Sequence, residues 1–161
     1  MTPTTALRGA LAVAASIAAF AAADVHARNV QYMVPVAGPL AAARASDGLA
    51  DIDFAFGSAS AKGAEIVGGT VSVQGVASPY AEAHGFKPSD DEVCRVAVRD
   101  ALKRLAVLAR AAGGHAVVGI VSAYNGVIVD DAGQVECRLG QSKVLAPLSG
   151  VVAKAVPAAT H

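Results

Sequence analysis

The chain has 161 residues, 13 of them basic and 13 acidic, with no Trp, four Phe and three Tyr. A neutral chain without a basic block lacks the concentrated positive surface that nucleic-acid binding or docking to anionic lipid requires. So few aromatics also leave it poorly supplied with stacking platforms for sugars or single strands.

The first element reads as a targeting signal. Arg8 supplies a positive n-region, and residues 9–23 form an apolar run of small side chains, too short and too weakly hydrophobic for a membrane span. Cleavage can follow Ala23 or Ala27, and the second is favoured because it lies beyond the apolar run. The organisation expected is a signal peptide over 1–27, a single α/β domain over 28–156 and a flexible tail over 157–161. Removing 27 residues from 161 leaves 134, with 12 basic and 12 acidic, enough for one domain with a real core. No later stretch is long enough to cross a membrane, so the expected location is the periplasm.

Residues 28–36 place Val30, Tyr32, Val34 and Val36 on one face of a strand, with Pro35 marking its far end as an edge or terminus. A short helix is expected over 38–46, with Pro39 in its first turn. Residues 51–57 alternate acid and apolar, turning Ile52, Phe54 and Phe56 inward. Residues 58–63 read as loop. Residues 65–78 read as extended, with glycines that suggest a bulge. Residues 79–88 carry no periodicity and read as loop.

The strongest signal starts at Ser89. "SDDE" is a capping box, and Asp90, Asp91 and Glu92 suit the positive end of a helix dipole. Gly113 and Gly114 supply the stop. Between them Cys94, Val98, Ala101, Leu105, Leu108 and Ala112 form an apolar stripe, opposite Arg95, Arg99, Lys103 and Arg110. A buried-type strand is expected over 116–124, then a tight turn at Asn125-Gly126, a continuation over 127–129 and a turn at 130–133. Residues 134–140 put Val135, Cys137 and Leu139 on one face. A last strand over 143–156 is expected to be interrupted near Pro147 and Gly150.

Cys94 points to the sheet side of its helix and Cys137 shares a face with Val135 and Leu139, so the two sulfurs meet if the helix covers that face. Export to an oxidising compartment favours a disulfide. Two alternatives remain at this level. A helix N-terminus lowers a thiol pKa, so Cys94 is also placed to be reactive, although it lacks a C-x-x-C partner. A zinc site has His84 and His115 to draw on, at a spacing that matches no standard ligand pattern.

These residues carry a resemblance. Cys94, Ala101-Leu102, Leu105, Gly113-Gly114, Ala116-Val117-Val118, Ile120, Ser122, Tyr124, Glu136-Cys137, Gly140, Leu148, Gly150, Val152 and Lys154 resemble a family of small exported proteobacterial proteins often labelled "excinuclease ATPase subunit". The match spans roughly 89–154, with His115 where that family usually has asparagine. More distantly the arrangement is similar to the outer-membrane lipoprotein sensor of the Rcs envelope-stress pathway. The resemblance implies a compact α/β domain with a helix-to-strand disulfide, and no established activity.

An ATPase needs a glycine-rich loop ending in Gly-Lys-Ser/Thr, and the chain contains no Gly-Lys pair. It is expected to be neither an ATPase nor an excinuclease. There is also no G-x-S-x-G, H-E-x-x-H or G-x-G-x-x-G. Asp51 and Asp53 share a strand face and read as two solvated acids rather than a catalytic pair, and Asp130 and Asp131 read as turn formers.

The fold expected is α+β: a two-layer domain whose mostly antiparallel sheet is covered by one long amphipathic helix over about 89–112, with a disulfide between Cys94 and Cys137. The function expected is a non-catalytic module without a cofactor, binding envelope proteins or further copies of itself, or reporting on envelope state. The alternative is a thiol- or metal-dependent periplasmic factor using Cys94, Cys137 and His115 or His84. A third reading is a small-molecule binder or hydrolase whose site is assembled from scattered residues.

Overall fold

A computed structural model describes residues 29–80 and 88–157. The expected signal peptide, His84, most of the loop after Pro79 and all of the tail but Pro157 lie outside the described residues. The elements run β1 (Val30–Pro35), α1 (Ala37–Ser46), β2 (Asp53–Phe56), a 3₁₀ turn (Ser58–Ala61), β3 (Ile66–Ala77), α2 (Asp90–Ala111), β4 (Ala116–Tyr124), β5 (Val127–Val129), β6 (Gln134–Leu139) and β7 (Val144–Ala153). The α+β class is as read from the sequence: a curled, mostly antiparallel seven-stranded sheet under a helical layer.

The hub of the sheet is β7. One of its edges is taken by β3 along nearly its whole length, from Ala77↔Val144 to Ile66↔Ala153. The other edge is shared. Strand β6 pairs at Leu139↔Val144 and Arg138↔Leu145, and β4 pairs from Ser122↔Leu148 onward. Strand β1 lies outside β6, and β2 lies outside β4 as the one parallel neighbour.

This arrangement corrects one expectation. β7 runs unbroken through Pro147 and Gly150. Pro147 pairs with Gln74, and its nitrogen is directed at the stretch of β7's other edge between the departure of β6 and the arrival of β4. No ladder donor is required there, so proline costs no hydrogen bond.

Helix α2 forms where its signals lie. The Ser89 hydroxyl accepts from the Glu92 N–H at 3.2 Å. At the other end Gly114 N–H donates to Ala109 and Gly113 N–H to Arg110, with Gly113 at φ +72°, the left-handed stop that glycine adopts without strain. The buried face is Val93, Cys94, Ala97, Val98, Ala101, Leu102, Leu105, Ala106 and Ala109. Leu108 and Ala112, expected on this stripe, are exposed, because a 3.6-residue period carries the stripe from Leu105 to Ala109 instead.

Close approach of α2 to the sheet rests on Gly75 of β3. A Cβ there would lie 2.6 Å from the Ala101 backbone nitrogen. Helix α1 joins the same layer through Arg99, whose guanidinium grips Asp47 at 2.9 and 3.1 Å. The 58–63 stretch, expected to be loop, forms the 3₁₀ turn because Asp130 accepts from the Ser58 N–H at 2.7 Å and from its hydroxyl.

Candidate functional site

Cys94 and Cys137 are disulfide-bonded, with Cα atoms 5.8 Å apart, and both are fully buried. The bond ties the start of α2 to β6 on the core side of the sheet. A reactive-thiol role needs an accessible thiolate, and neither sulfur is free. His115 is not brought to the cysteines. It follows the C-terminal end of α2, whereas Cys94 sits near the other end, and roughly 27 Å of helix separates them. Among the described residues no group of three or more His, Cys, Asp or Glu is placed to hold a metal ion.

The two acids of the β2 region are split between different partners. Asp51 takes Arg110 at 2.6 Å, and Asp53 takes Arg44 at 3.2 Å. The Arg110 guanidinium holds the Asp51 carboxyl below its usual range. Both carboxylates are exposed, as the sequence reading expected. Asp131 is the turn former expected, accepting from Gly133 and Gln134 at 2.7 and 2.9 Å, whereas Asp130 reaches across to Ser58.

A buried polar cluster occupies the second face of β6, which alternation alone would expose. Glu136 is fully buried, opposite Met33 of β1, with the Arg138 guanidinium against its Oε1. Arg138 in turn stacks over the Tyr124 ring, 4.7 Å from its centre, and Ser122 Oγ accepts the Glu136 N–H at 2.7 Å. The end of β4 therefore lies against the face of β6 that alternation assigns to solvent. Only the aromatic at Tyr124 and the charge pair two apart, "ECR", could have signalled it.

The remaining feature is an open sheet edge. Among the described residues, strand β3 pairs with β7 alone. Backbone groups alternate in direction along an antiparallel strand. Glu65 C=O accepts from Lys154 N–H on the β7 side, while Val76 N–H points away and donates to the Asp100 carboxylate at 2.9 Å. Odd-numbered residues thus address β7, and Thr70, Ser72 and Gln74 direct their amides and carbonyls outward. Beside this edge runs a shallow groove of about 320 Å³ lined by Val73, Gln74, Arg104, Val107 and Leu108. Val107 is 61% and Leu108 38% exposed.

The strand carries no charged residue and no proline over its twelve positions, so two of the devices that usually blunt an edge are missing, and its register shift lies before Thr70. Asp100 protects one end only: it caps Val76 and holds Arg104 at 2.8 Å. Burial pushes the Asp100 carboxyl up, but the Val76 N–H and Arg104 outweigh it and the group ends below its usual range. It stays an acceptor at neutral pH. An unpaired edge beside an apolar helix flank is the geometry by which an extended polypeptide is bound as an added strand. No protein-family model, curated protein or solved structure matches the chain.

Proposed function

We propose that this protein is a non-catalytic, protein-binding module of the bacterial periplasm, exported by its N-terminal signal and docking extended segments of other chains on the outer edge of β3. The observation that carries the reading is that edge itself: the outward backbone groups of Thr70, Ser72 and Gln74 beside the exposed Val107 and Leu108. The buried Cys94–Cys137 disulfide suits an oxidising compartment. Among the described residues no helix is long and apolar enough to cross a membrane. The resemblance to small exported proteobacterial proteins points the same way.

A photo-crosslinking amino acid placed at Gln74 tests it, with the same group at exposed Ile128 of β5 as the control. In periplasm-expressing cells the Gln74 probe is expected to yield discrete protein adducts that the Ile128 probe does not. Equal or absent adducts from the two positions would sink the reading.

A further inference from the structure

Resting on that reading of the β3 edge, we infer that one occupant of the edge is a second copy of this chain, joined β3 to β3 in antiparallel register about a two-fold axis at Ser72. Hydrogen bonding, side-chain pattern and charge each support this choice.

Antiparallel strands bond through residues whose backbone groups face each other. In β3 those are the even-numbered ones. A dyad at Ser72 sets Ser72 against its own copy and Thr70 against Gln74 of the copy, so every outward group in this stretch meets another outward group. Val76 N–H, already given to Asp100, falls outside that pairing.

The same register matches both faces. Val71 and Val73 lie on the α2 side and pack against the core, while Thr70, Ser72 and Gln74 lie on the other. A two-fold axis normal to the sheet keeps each face on its own side. Val71 of one copy then meets Val73 of the other, continuing the apolar layer beneath the exposed Val107, and the polar side chains meet polar ones. An incoming strand must alternate apolar toward α2 and polar away from it, and β3 has that alternation.

Charge does not oppose the pairing. The strand is neutral and the whole chain balances 13 basic against 13 acidic residues, so two copies approach without net repulsion.

The test uses the full chain, purified with its disulfide intact. Sedimentation over a concentration series is expected to show a monomer–dimer equilibrium, and Ser72→Lys to weaken it at least tenfold by setting two like charges directly opposite each other at the dyad. Ser72→Cys is expected to form a disulfide-linked dimer on air oxidation, because facing residues of this pair class sit at a Cα separation of about 5.5 Å, which a disulfide spans. Thr70→Cys and Gln74→Cys are expected to cross-link with each other when mixed and not with themselves. A wild type that stays monomeric throughout, with Ser72→Cys left as free thiol, overturns the proposal. If the Gln74 probe still captures other proteins in that case, the docking surface stands and only the second copy is wrong. If it captures none, both fall.

Discussion

Glu136 and Arg138, two positions apart on β6, form an ion pair on the face of the strand opposite the disulfide of Cys137. Three consecutive residues thus carry a buried carboxylate, a buried sulfur bridge and a guanidinium resting on Tyr124. Removing one member of a buried pair strands the other charge, which costs about 3–5 kcal/mol, whereas replacing both by apolar groups is often neutral. Arg138→Met alone is expected to lower unfolding free energy by about that amount, and Glu136→Leu with Arg138→Met to recover most of it. Urea denaturation of wild type, single and double variants checks this. A double variant no better than the single would mean that the pair is not what holds this face.

The disulfide closes a loop with a sequence separation of 43. Chain-entropy reasoning gives roughly 4 kcal/mol of stabilisation for that length. Cys94→Ala with Cys137→Ala is expected to lose about this much in guanidinium unfolding. Because both sulfurs are fully buried, dithiothreitol should reduce the native protein only as fast as it opens. A reduction rate close to that of the unfolded chain would contradict the burial.

Two glycines on β3 separate packing from propensity. A Cβ at Gly75 would run into the backbone of α2, which cannot yield locally, whereas a Cβ at Gly69 meets nothing within 4 Å. Gly75→Ala is expected to cost about 3 kcal/mol or more, and Gly69→Ala to stay within about 0.5 kcal/mol. Thermal melts of the two variants provide the comparison, and equal shifts would show that α2 does not touch β3 at Gly75.

Ser58 lowers the Asp130 carboxyl below its usual value by donating both its hydroxyl and its backbone N–H. A carboxyl depressed in the folded state contributes stability above the unfolded pKa of about 3.9 and loses it as pH falls through the lower folded value. Asp130→Asn removes that titration. Its stability is therefore expected to fall less steeply than that of wild type on acidification below about pH 4. Urea midpoints measured down through the carboxylate range decide it, and parallel curves would remove Asp130 from the acid limb.

The local signals in the sequence were reliable where an element's reason for existing is local. Ser89 caps α2, Gly113 ends it, and Asn125 (φ 49°) with Gly126 turns β4 into β5, all as the residues imply. Cys94 and Cys137 were legible as a pair because each lay on an apolar face that the other had to meet. What failed were inferences about which surfaces other elements cover. Period-2 alternation exposes Glu136, but the end of β4 folds over it. Pro147 breaks a strand in isolation, but not where two neighbouring strands change places beside it. β3 is readable as an extended segment whose glycines suggest a bulge, and its register shifts between Ile66 and Thr70, whereas its open edge is not readable and the groove beside it is hidden by the assignment of Leu108 to the buried stripe.

The position of β7 at the hub has a consequence for the order in which the protein can be made. β3, β4 and β6 all pair with residues 144–153, and these are translated after all three of them. Until they arrive, β3 has no ladder at all, and the β1–β6 and β2–β4 pairs have no strand to join them. A nascent chain that stops short of β7 therefore has helix-to-strand contacts but no continuous sheet. Completion of the sheet therefore waits on β7.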